Sequence, residues 1–408
     1  MSGGRRRVLL LLPFVPRLDG HHGGSRAIAQ LVMALGERCD VGAICVRMRD
    51  DPPADDRVRG SCAFFDEVHR DAMPLPSRLV REARARLEAF GVAPAWVARW
   101  HVPALEAKAR ERIREWQPDV VQIEFHVMGQ YAAALRAGRT PIVLTQHESA
   151  TAAARERAAQ ATGRARSRAV REARAWERYE RKVLGTLDAV VAFSERDRAA
   201  VAAMAPGIRV ACIPLGGFVP ERASSAVGNA PGRLLFIGNF GHPPNVDSMH
   251  RLVAEILPAV RRRVPSATLQ VIGRGAPPLP RAASRDGVII VGEVEDVAPY
   301  LDDAAVVVVP ARLGGGTRVK VLEALAAGKA VVATPRAIEG IAIEPGVHAV
   351  VAESDAALAD AIAALLEDAP RRAALGAAAR RWAEAHLGWG RVGEAYEALY
   401  EQLLAERR

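Results

Sequence analysis

Short apolar runs alternate with longer amphipathic segments along the chain, and this alternation limits its possible folds more than any other feature. Apolar runs bounded by turn residues are typical of buried strands, and the amphipathic segments between them are typical of connecting helices. The pattern therefore predicts an α/β fold in which helices cover both faces of parallel sheets. The strands predicted in the first half are residues 7–12, 40–46, 119–123, 141–145, 188–193 and 208–213. The helices predicted there lie near residues 25–36, 78–90, 103–116, 151–184 and 195–204.

The alternation stops once, over residues 214–232, which are rich in Gly, Pro, Ser and Ala and lack periodicity. It then restarts, with predicted strands at 233–237, 267–272, 287–291, 304–309 and 329–333 and predicted helices near 245–263, 317–327, 354–366 and 368–386. At roughly 150 residues per domain, 408 residues suffice for two domains. We predict two doubly wound, Rossmann-like domains that face a cleft, where such folds bind ligands. The expected divisions are an N-terminal domain over 1–215, a linker over 216–232, a C-terminal domain over 233–386, and a last helix within 387–408 that packs back toward the N-terminal domain.

A net charge of +9 would normally indicate an anionic partner such as nucleic acid, a membrane surface or phosphate. Four of the 56 basic residues are lysines, which leaves 52 arginines, in a chain also rich in alanine, glycine and proline. That composition is typical of a GC-rich genome, so the charge carries less functional information than its size suggests. Aromatic residues are not interleaved with the basic ones as in single-strand binders, and we do not expect nucleic acid as a partner.

Four cysteines without any C-x-x-C spacing predict neither a disulfide framework nor a structural zinc site. A reducing compartment follows, and we expect a cytoplasmic protein. Residues 8–12 imitate the core of a signal peptide, but the run is short and meets Pro13 and Pro16, so it is expected to form a buried strand. No stretch approaches the roughly 20 apolar residues of a membrane span. Because no D-x-D motif follows a strand and no His/Cys ligand cluster occurs, we predict neither a metal nor another cofactor.

The most specific motif is a triple-glycine turn, Gly314, Gly315 and Gly316, between a predicted strand and a helix that begins at Thr317. Glycines allow a ligand to approach the backbone, and the first amides of a helix are unpaired donors at a positive dipole end. The turn therefore predicts a phosphate site, to which Arg318 and Lys320 add positive charge. Glu323, further along the helix, could accept hydrogen bonds from two vicinal hydroxyls of a sugar or ribose. The alternative is an ordinary glycine-rich turn before a helix whose charged residues face solvent.

Residues 314–324, together with 325–332, resemble the donor-site signature of family 4 glycosyltransferases of the GT-B fold. Nearly the whole chain carries the resemblance, through the segments 16–24, 145–149, 176–197, 238–245, 271–275 and 291–297. It implies two Rossmann-like domains and a retaining transfer of a sugar from a nucleoside-diphosphate sugar to a glycan, lipid-linked or small-molecule acceptor. The donor-binding residues that it implies are Gly238, Asn239, Gly273, Val294, Gly314, Gly315, Gly316, Thr317, Val319 and Glu323. The catalytic residues that it implies are His147, Arg318 and Lys320.

Candidate residues also lie in the first half of the chain. His147 follows a predicted strand and would donate a hydrogen bond to a sugar hydroxyl or phosphate, although a structural histidine is the ordinary alternative. Gly23 and Gly24 precede the helix 25–36, where an anion or the acceptor would bind. Glu124 and His126, at the end of the strand 119–123, would face the acceptor or cap the following helix.

Two departures from the family's usual pattern affect the expected function. The family commonly has two glutamates eight positions apart, and Gly315 stands where the first would be. Segment 238–247 lacks the Arg and Lys often used for the diphosphate, so Arg318 and Lys320 are expected to supply that charge. A non-catalytic nucleotide-sugar binding protein and a sugar-nucleotide epimerase of the same architecture stay open as alternatives.

Arginines crowd residues 155–182, and with Trp96, Trp100 and Trp116 they could form a face for peripheral membrane association near a lipid-linked acceptor. The alternative is a solvated helix face whose arginines reflect codon bias.

Overall fold

The computed structural model describes residues 5–19, 23–70, 94–136, 138–276, 279, 286–313 and 319–407. The chain divides into two compact units. Unit 1 comprises Met1–Leu215 and Trp389–Arg408, and unit 2 comprises Gly216–Gly388. The helix predicted near 78–90 lies outside the described residues, as do Gly314, Gly315, Gly316, Thr317 and Arg318.

Unit 1 contains a seven-stranded parallel sheet in the order β3-β2-β1-β4-β5-β6-β7. Its strands are β1 (Arg7–Leu12), β2 (Asp40–Arg47), β3 (Phe64–His69), β4 (Val120–Glu124), β5 (Ile142–Gln146), β6 (Ala189–Ala192) and β7 (Arg209–Cys212). Its helices are α1 (Gly23–Arg38), α2 (Asp56–Gly60), α3 (Ala95–Arg99), α4 (Pro103–Trp116), a 3₁₀-helix (His126–Tyr131), α5 (Ala132–Leu135), α6 (Ala150–Gln160), α7 (Gly163–Leu184) and α8 (Glu195–Met204).

Unit 2 contains a six-stranded parallel sheet in the order β10-β9-β8-β11-β12-β13. Its strands are β8 (Arg233–Ile237), β9 (Thr268–Ile272), β10 (Val288–Gly292), β11 (Val306–Val309), β12 (Val331–Ala333) and β13 (Val350–Val351). Its helices are α9 (Pro243–Arg251), a π-helical turn (Leu252–Ile256), α10 (Leu257–Arg263), α11 (Ala298–Asp303), α12 (Val319–Ala326), α13 (Pro335–Ile338), α14 (Asp355–Glu367) and α15 (Ala369–His386). A last helix, α16 (Trp389–Ala405), belongs to unit 1.

The central strands are mostly apolar because both faces of each sheet are covered, and β4 and β5 also contain the buried polar residues Gln122, Glu124 and Thr145. In β1, Leu9 and Leu11 belong to one buried cluster, and Val8, Leu10 and Leu12 belong to the cluster on the other face. The second cluster includes residues of α1 and one face of α16, so the last helix completes the core of unit 1. Among the described helices, none has both the length and the apolar character needed to cross a membrane.

Several sequence predictions of secondary structure were wrong. The single helix expected over 151–184 is two helices, because Thr162 has an extended backbone and Gly163 has a φ of 55°. The edge strand β3 was missed, since it carries charged residues and is only half-buried; Glu67 there pairs with Arg47 and Arg59. The short elements α2, α3, α5, α11, α13, β13 and the 3₁₀-helix were also missed.

The strand order of each sheet reverses next to its first strand, between β1 and β4 in unit 1 and between β8 and β11 in unit 2. Ligands of doubly wound sheets bind outside the carboxyl ends of the strands at such a reversal. Glu124 ends β4, His147 follows β5 and Gly238 follows β8, so these candidates lie at or beside the reversals.

Candidate functional site

The candidate residues fall into two sets, one in each unit. In unit 2, the loops after β8, β9 and β10 bond to one another through their backbones. Gly238 N donates to the carbonyl of Ile272 at 3.0 Å, and Gly273 N donates to that of Gly292 at 2.7 Å. Gly273 has a φ of 130°, and a Cβ there would lie 1.8 Å from the Gly238 oxygen. Glycine is therefore required at 273 for the loops to approach this closely.

Lys320 is joined to the Gly238 loop through an asparagine. Its Nζ donates to Asn245 Oδ1 at 2.7 Å, and Asn245 Nδ2 donates to the carbonyl of exposed Asn239 at 2.7 Å. The ammonium also lies 4.8 Å from the centroid of the Phe236 ring. A positive charge is thus placed at the end of β8, where a phosphate group would need it. The sequence analysis did not identify Asn245 as the residue that positions Lys320. The sequence does show that residues 238–247 contain no Arg or Lys of their own.

Three other predicted donor residues, Val319, Glu323 and Val294, are each half-buried. Glu323 lies three residues after Lys320 on α12, so the two side chains leave the helix on neighbouring positions of one face. Val294 packs against the apolar cluster beneath α12. The remaining predicted donor residues, Gly314, Gly315, Gly316 and Thr317, lie outside the described residues.

A second cation of unit 2, Arg312, was not singled out from the sequence. It follows β11 and donates two hydrogen bonds to the Asp247 carboxylate, at 2.9 and 2.7 Å. The hydrogen bond to Asp247 raises the pKa of this guanidinium. The Arg312 guanidinium, already paired with Asp247, therefore lies at the carboxyl end of the sheet of unit 2, as the Lys320 ammonium does.

In unit 1, His147 and Glu124 are in direct contact. His147 Nε2 lies 2.8 Å from Glu124 Oε2, and Glu124 Oε1 accepts a hydrogen bond of 2.6 Å from Gln122 Nε2. Glu124 is fully buried, and no side chain caps the 3₁₀-helix that follows. Glu124 therefore does not cap the next helix, and its carboxylate is buried against His147 and Gln122. That Glu124 faces the acceptor stays a prediction.

Aromatic residues fix the His147 ring. Phe125 stacks on it at 3.8 Å between ring centroids, and Phe193 approaches edge-on at 4.8 Å. Phe125 has a φ of 72°, a conformation that costs a non-glycine residue of order 1–3 kcal/mol and that clusters at functional sites. Phe125 directly follows β4, so this strained residue carries the ring that stacks on the imidazole.

The loop that carries His147 is anchored on both sides by Glu180 of α7. Gln146 Nε2 and Ala150 N donate to the Glu180 carboxylate at 3.0 and 2.9 Å, and Thr151 N donates at 3.2 Å. Burial raises the pKa of the Glu180 carboxyl, and these hydrogen bonds oppose the shift. Because Gln146 precedes His147 and Ala150 begins α6, a single buried carboxylate holds both ends of the loop.

A small apolar cavity adjoins His147 and Glu124 within unit 1. Side chains of α1 and α16 form most of its wall, and its volume of about 10 Å³ has room for about one water molecule. This cavity is too small for a sugar ring.

Gly23 and Gly24 are half-buried at the start of α1. The nearby Ser25 Oγ donates to the carbonyl of Val15 at 2.8 Å and accepts from Arg17 N at 3.1 Å. Arg17 is paired with Asp19, so its charge is already partly neutralised. Residues 20–22 lie outside the described chain.

His126 is fully buried two positions beyond Glu124 and makes T-shaped contacts with Trp96 and Trp176 at 5.1 and 5.3 Å. Neither ring nitrogen has a hydrogen-bond partner among the described residues. Burial, helped by the charge of His147, lowers the pKa of His126 to about 3. His126 is therefore neutral at physiological pH.

The arginines of α6 and α7 are mostly exposed, and some form ion pairs: Glu177 pairs with Arg155 and Arg181. The three tryptophans differ in their exposure. Trp96 is 39% exposed, whereas Trp100 and Trp116 pack against the core of unit 1. The predicted membrane face stays a prediction.

No group of three or more His, Cys, Asp or Glu side chains suited to a metal ion occurs in the part of the chain that the structure describes. The expectation that no metal or other cofactor is required stays a prediction.

Two family models match the chain. The model described as Glycosyltransferase Family 4 matches residues 21–216, and the model described as Glycosyl transferases group 1 matches residues 231–368. No curated protein matches the sequence.

Solved structures share the fold. Sucrose-phosphate synthase from Thermosynechococcus elongatus has a TM-score of 0.72 and 18% identity, over 98% of this chain and 100% of that chain. HepE from Anabaena, in complex with UDP and glucose, has a TM-score of 0.66 and 13% identity, over 97% and 100%. TarM has a TM-score of 0.67 and 10% identity, over 97% and 98%. At these identities the likeness concerns the two-sheet α/β fold.

Proposed function

The chain belongs to the family 4-like glycosyltransferases of the GT-B fold, and from this premise we propose that it transfers a sugar from a nucleoside-diphosphate sugar to a hydroxyl acceptor with retention of anomeric configuration. The acceptor would be a glycan, a lipid-linked molecule or a small molecule. HepE, which shares the fold, is described in complex with UDP and glucose, and this supports a nucleotide-sugar donor.

One observation carries the proposal: Asn245 holds Lys320 at the end of β8, and Glu323 follows one turn later on the same helix. Lys320 would bind the diphosphate, and the Glu323 carboxylate would accept hydrogen bonds from the ribose hydroxyls. The glycine loops at Gly238 and Gly273 would let the donor lie against the backbone. The turn at 314–316, Thr317 and Arg318 would complete the phosphate site.

The chemistry would rest on electrostatic stabilisation of the departing diphosphate. As the bond from the anomeric carbon to the diphosphate oxygen breaks, negative charge develops on the leaving group, and Lys320, Arg318 and the first amides of the helix would stabilise it. The acceptor oxygen would attack from the same face, and its proton would pass to the leaving phosphate. This scheme requires neither a pair of carboxylates nor a metal ion.

The test is a transfer assay with a panel of nucleoside-diphosphate sugars and acceptors, with and without excess EDTA. We expect a product whose anomeric configuration, read by NMR from the coupling at the anomeric proton, equals that of the donor, and activity that survives chelation. An inverted product would contradict the retaining mechanism. Loss of transfer in EDTA that magnesium or manganese restores would contradict the metal-free scheme.

Cytoplasmic location and peripheral membrane contact also stay proposals. The exposed arginines of α7 favour contact with an anionic surface.

A further inference from the structure

A chain of buried hydrogen bonds runs from α16 to His147. The Tyr400 hydroxyl donates to Gln122 Oε1, Gln122 Nε2 lies 2.6 Å from Glu124 Oε1, and Glu124 Oε2 lies 2.8 Å from His147 Nε2. Tyr400, Gln122 and Glu124 are each 0% exposed, and the His147 side chain is 12% exposed. His147 is thus the member of the chain that approaches the surface.

With Glu124 as a carboxylate, the chemistry of the groups sets the direction of each bond in this chain. A carboxylate only accepts hydrogen bonds, so the Gln122 amide must turn its nitrogen toward Glu124 and its oxygen toward Tyr400. For the same reason His147 Nε2 must carry the hydrogen that it shares with Glu124. Nδ1 of the neutral ring then has a lone pair and no hydrogen. The hydrogen bond to Glu124 uses Nε2, which leaves Nδ1 available to a ligand.

We propose that Glu124 is a positioning residue that holds His147 in the Nε2–H form, so that Nδ1 is the atom that meets the substrate, and that Gln122 and Tyr400 orient Glu124. This inference rests on the proposed function, since it assigns His147 to the transferase site. It also changes the expected role of His147. The neutral ring accepts a hydrogen bond from a hydroxyl of the donor or acceptor sugar through Nδ1, instead of donating one.

The packing around the ring supports a positioning role. Phe125 and Phe193 hold the imidazole plane, and Glu180 holds the loop on both sides of it, so the ring cannot easily turn its other nitrogen toward Glu124. A hydrogen-bond network that served stability alone would not need to end on a partly exposed histidine. The ordered direction of the bonds gives that histidine one defined tautomer.

The tautomer can be read directly from ¹⁵N shifts of histidine-labelled protein at about pH 9, well above the ordinary histidine pKa. The His147→Asn variant assigns the His147 signals. We expect a pyrrole-type Nε2 and a pyridine-type Nδ1 in the unaltered protein. The opposite assignment would overturn the inference without bearing on whether the protein transfers sugar.

The Glu124→Gln variant provides the second test of the inference. Gln122, oriented by Tyr400, still donates to the new amide oxygen, which turns the new NH₂ group toward His147 Nε2. The histidine should therefore change to the Nδ1–H form, and kcat should fall by roughly 10–100-fold, as when a residue that orients a functional histidine is lost. An unchanged tautomer in Glu124→Gln would overturn the positioning role.

Tyr396→Phe is the matched control. Tyr396 is buried on the same helix, but its hydroxyl bonds to Thr145 Oγ1, 3.1 Å away, and reaches Gln122 only through the longer 3.4 Å contact of Thr145 Oγ1 with Gln122 Nε2. The control should lose a similar buried hydroxyl and keep the His147 tautomer. A change of the His147 tautomer in Tyr396→Phe as large as that in Glu124→Gln would show that general loosening of the core, and not the loss of Glu124, determines the tautomer. If the tautomers behave as expected but the unaltered protein transfers no sugar, the proposed function fails while the positioning inference stands.

Discussion

Lys320 is one of four lysines in a chain with 52 arginines, and Asn245 and Phe236 fix its ammonium at the end of β8. A charge held in this way is well placed for a diphosphate. We expect Lys320→Ala to weaken nucleoside-diphosphate binding by about 1.5–3 kcal/mol, the range for a charge-assisted contact. Titration calorimetry measures this change. Lys108→Ala is the control, since it removes the same charge from unit 1, where Lys108 pairs with Glu111. Equal affinities in all three proteins would remove Lys320 from the site.

Glu323 is the second residue for which binding can be measured. Its carboxylate is expected to hold the ribose, so Glu323→Gln should weaken binding by roughly 1–3 kcal/mol. It should also reduce the preference for a ribonucleoside diphosphate over its 2′-deoxy analogue. Glu367→Gln removes an exposed carboxylate from the same unit and should keep that preference. If Glu323→Gln discriminates between the two nucleotides as well as the unaltered protein does, Glu323 does not bind the ribose.

His126 gives a prediction for stability against pH. Its pKa is lowered to about 3, so between about pH 6.5 and 3 the unfolded chain binds a proton that the folded protein does not. The free energy of unfolding should therefore fall as the pH falls below 6.5, with this group contributing up to about 1.4 kcal/mol per pH unit. His126→Phe keeps an aromatic ring between Trp96 and Trp176 and should flatten this acid limb in urea titrations. Parallel pH profiles for the two proteins would contradict the assignment.

At the residue scale, the sequence could indicate the site only where its members are close along the chain. Lys320 and Glu323 stand in one motif, and their residue types are sufficient to suggest phosphate and diol binding. Tyr400 and Gln122 are 278 positions apart, and their contact depends on how α16 packs against unit 1. No local pattern carries that information, and Glu124 was therefore predicted at the end of its strand without its buried partners.

At the scale of elements, the glycine loops of unit 2 offer a matched pair of substitutions. Gly275→Ala places a Cβ in open space at a φ of 74° and should cost roughly 1–2 kcal/mol. Gly273→Ala should cost more, because its Cβ would also meet the Gly238 carbonyl and force the β8 and β9 loops apart. Urea denaturation measures both costs, and nucleotide affinity should fall in Gly273→Ala only. Equal effects of the two variants would show that the loops have room to separate.

Elements with a strong local signal were predicted well, and those that depend on tertiary context were not. Strands β1, β4, β5 and β8 were placed to within one residue at either end, because burial on both faces leaves a run in which most residues are apolar. β3 lies at a sheet edge and mixes aromatic with charged residues, so its strand character depends on pairing with β2 and on ion pairs such as Arg112–Asp66. The break between α6 and α7 depends on one glycine with positive φ, which a helical pattern tolerates.

At the scale of the whole molecule, each unit has its own parallel sheet and buried clusters, and unit 1 is completed only by the last helix of the chain. The proposed donor site lies within unit 2, whereas His147 and its hydrogen-bond chain lie within unit 1. A ligand that carries only the nucleoside diphosphate should therefore bind mainly through unit 2.

Hydrogen exchange measured by mass spectrometry can locate this binding. At 100 times its dissociation constant, a ligand stabilises the folded form by about 2.7 kcal/mol, which slows exchange through unfolding of the binding unit by up to about 100-fold. With a nucleoside diphosphate alone, we expect the strongest protection in the loops after β8 and β9 and at the start of α12, and less at the segment that carries His147. The nucleoside without its phosphates should protect these amides less, since Lys320 would have no anion to bind. Protection confined to unit 1 would show that the nucleoside diphosphate binds unit 1 instead of unit 2. It would contradict the assignment of Lys320 and Glu323 to the donor site.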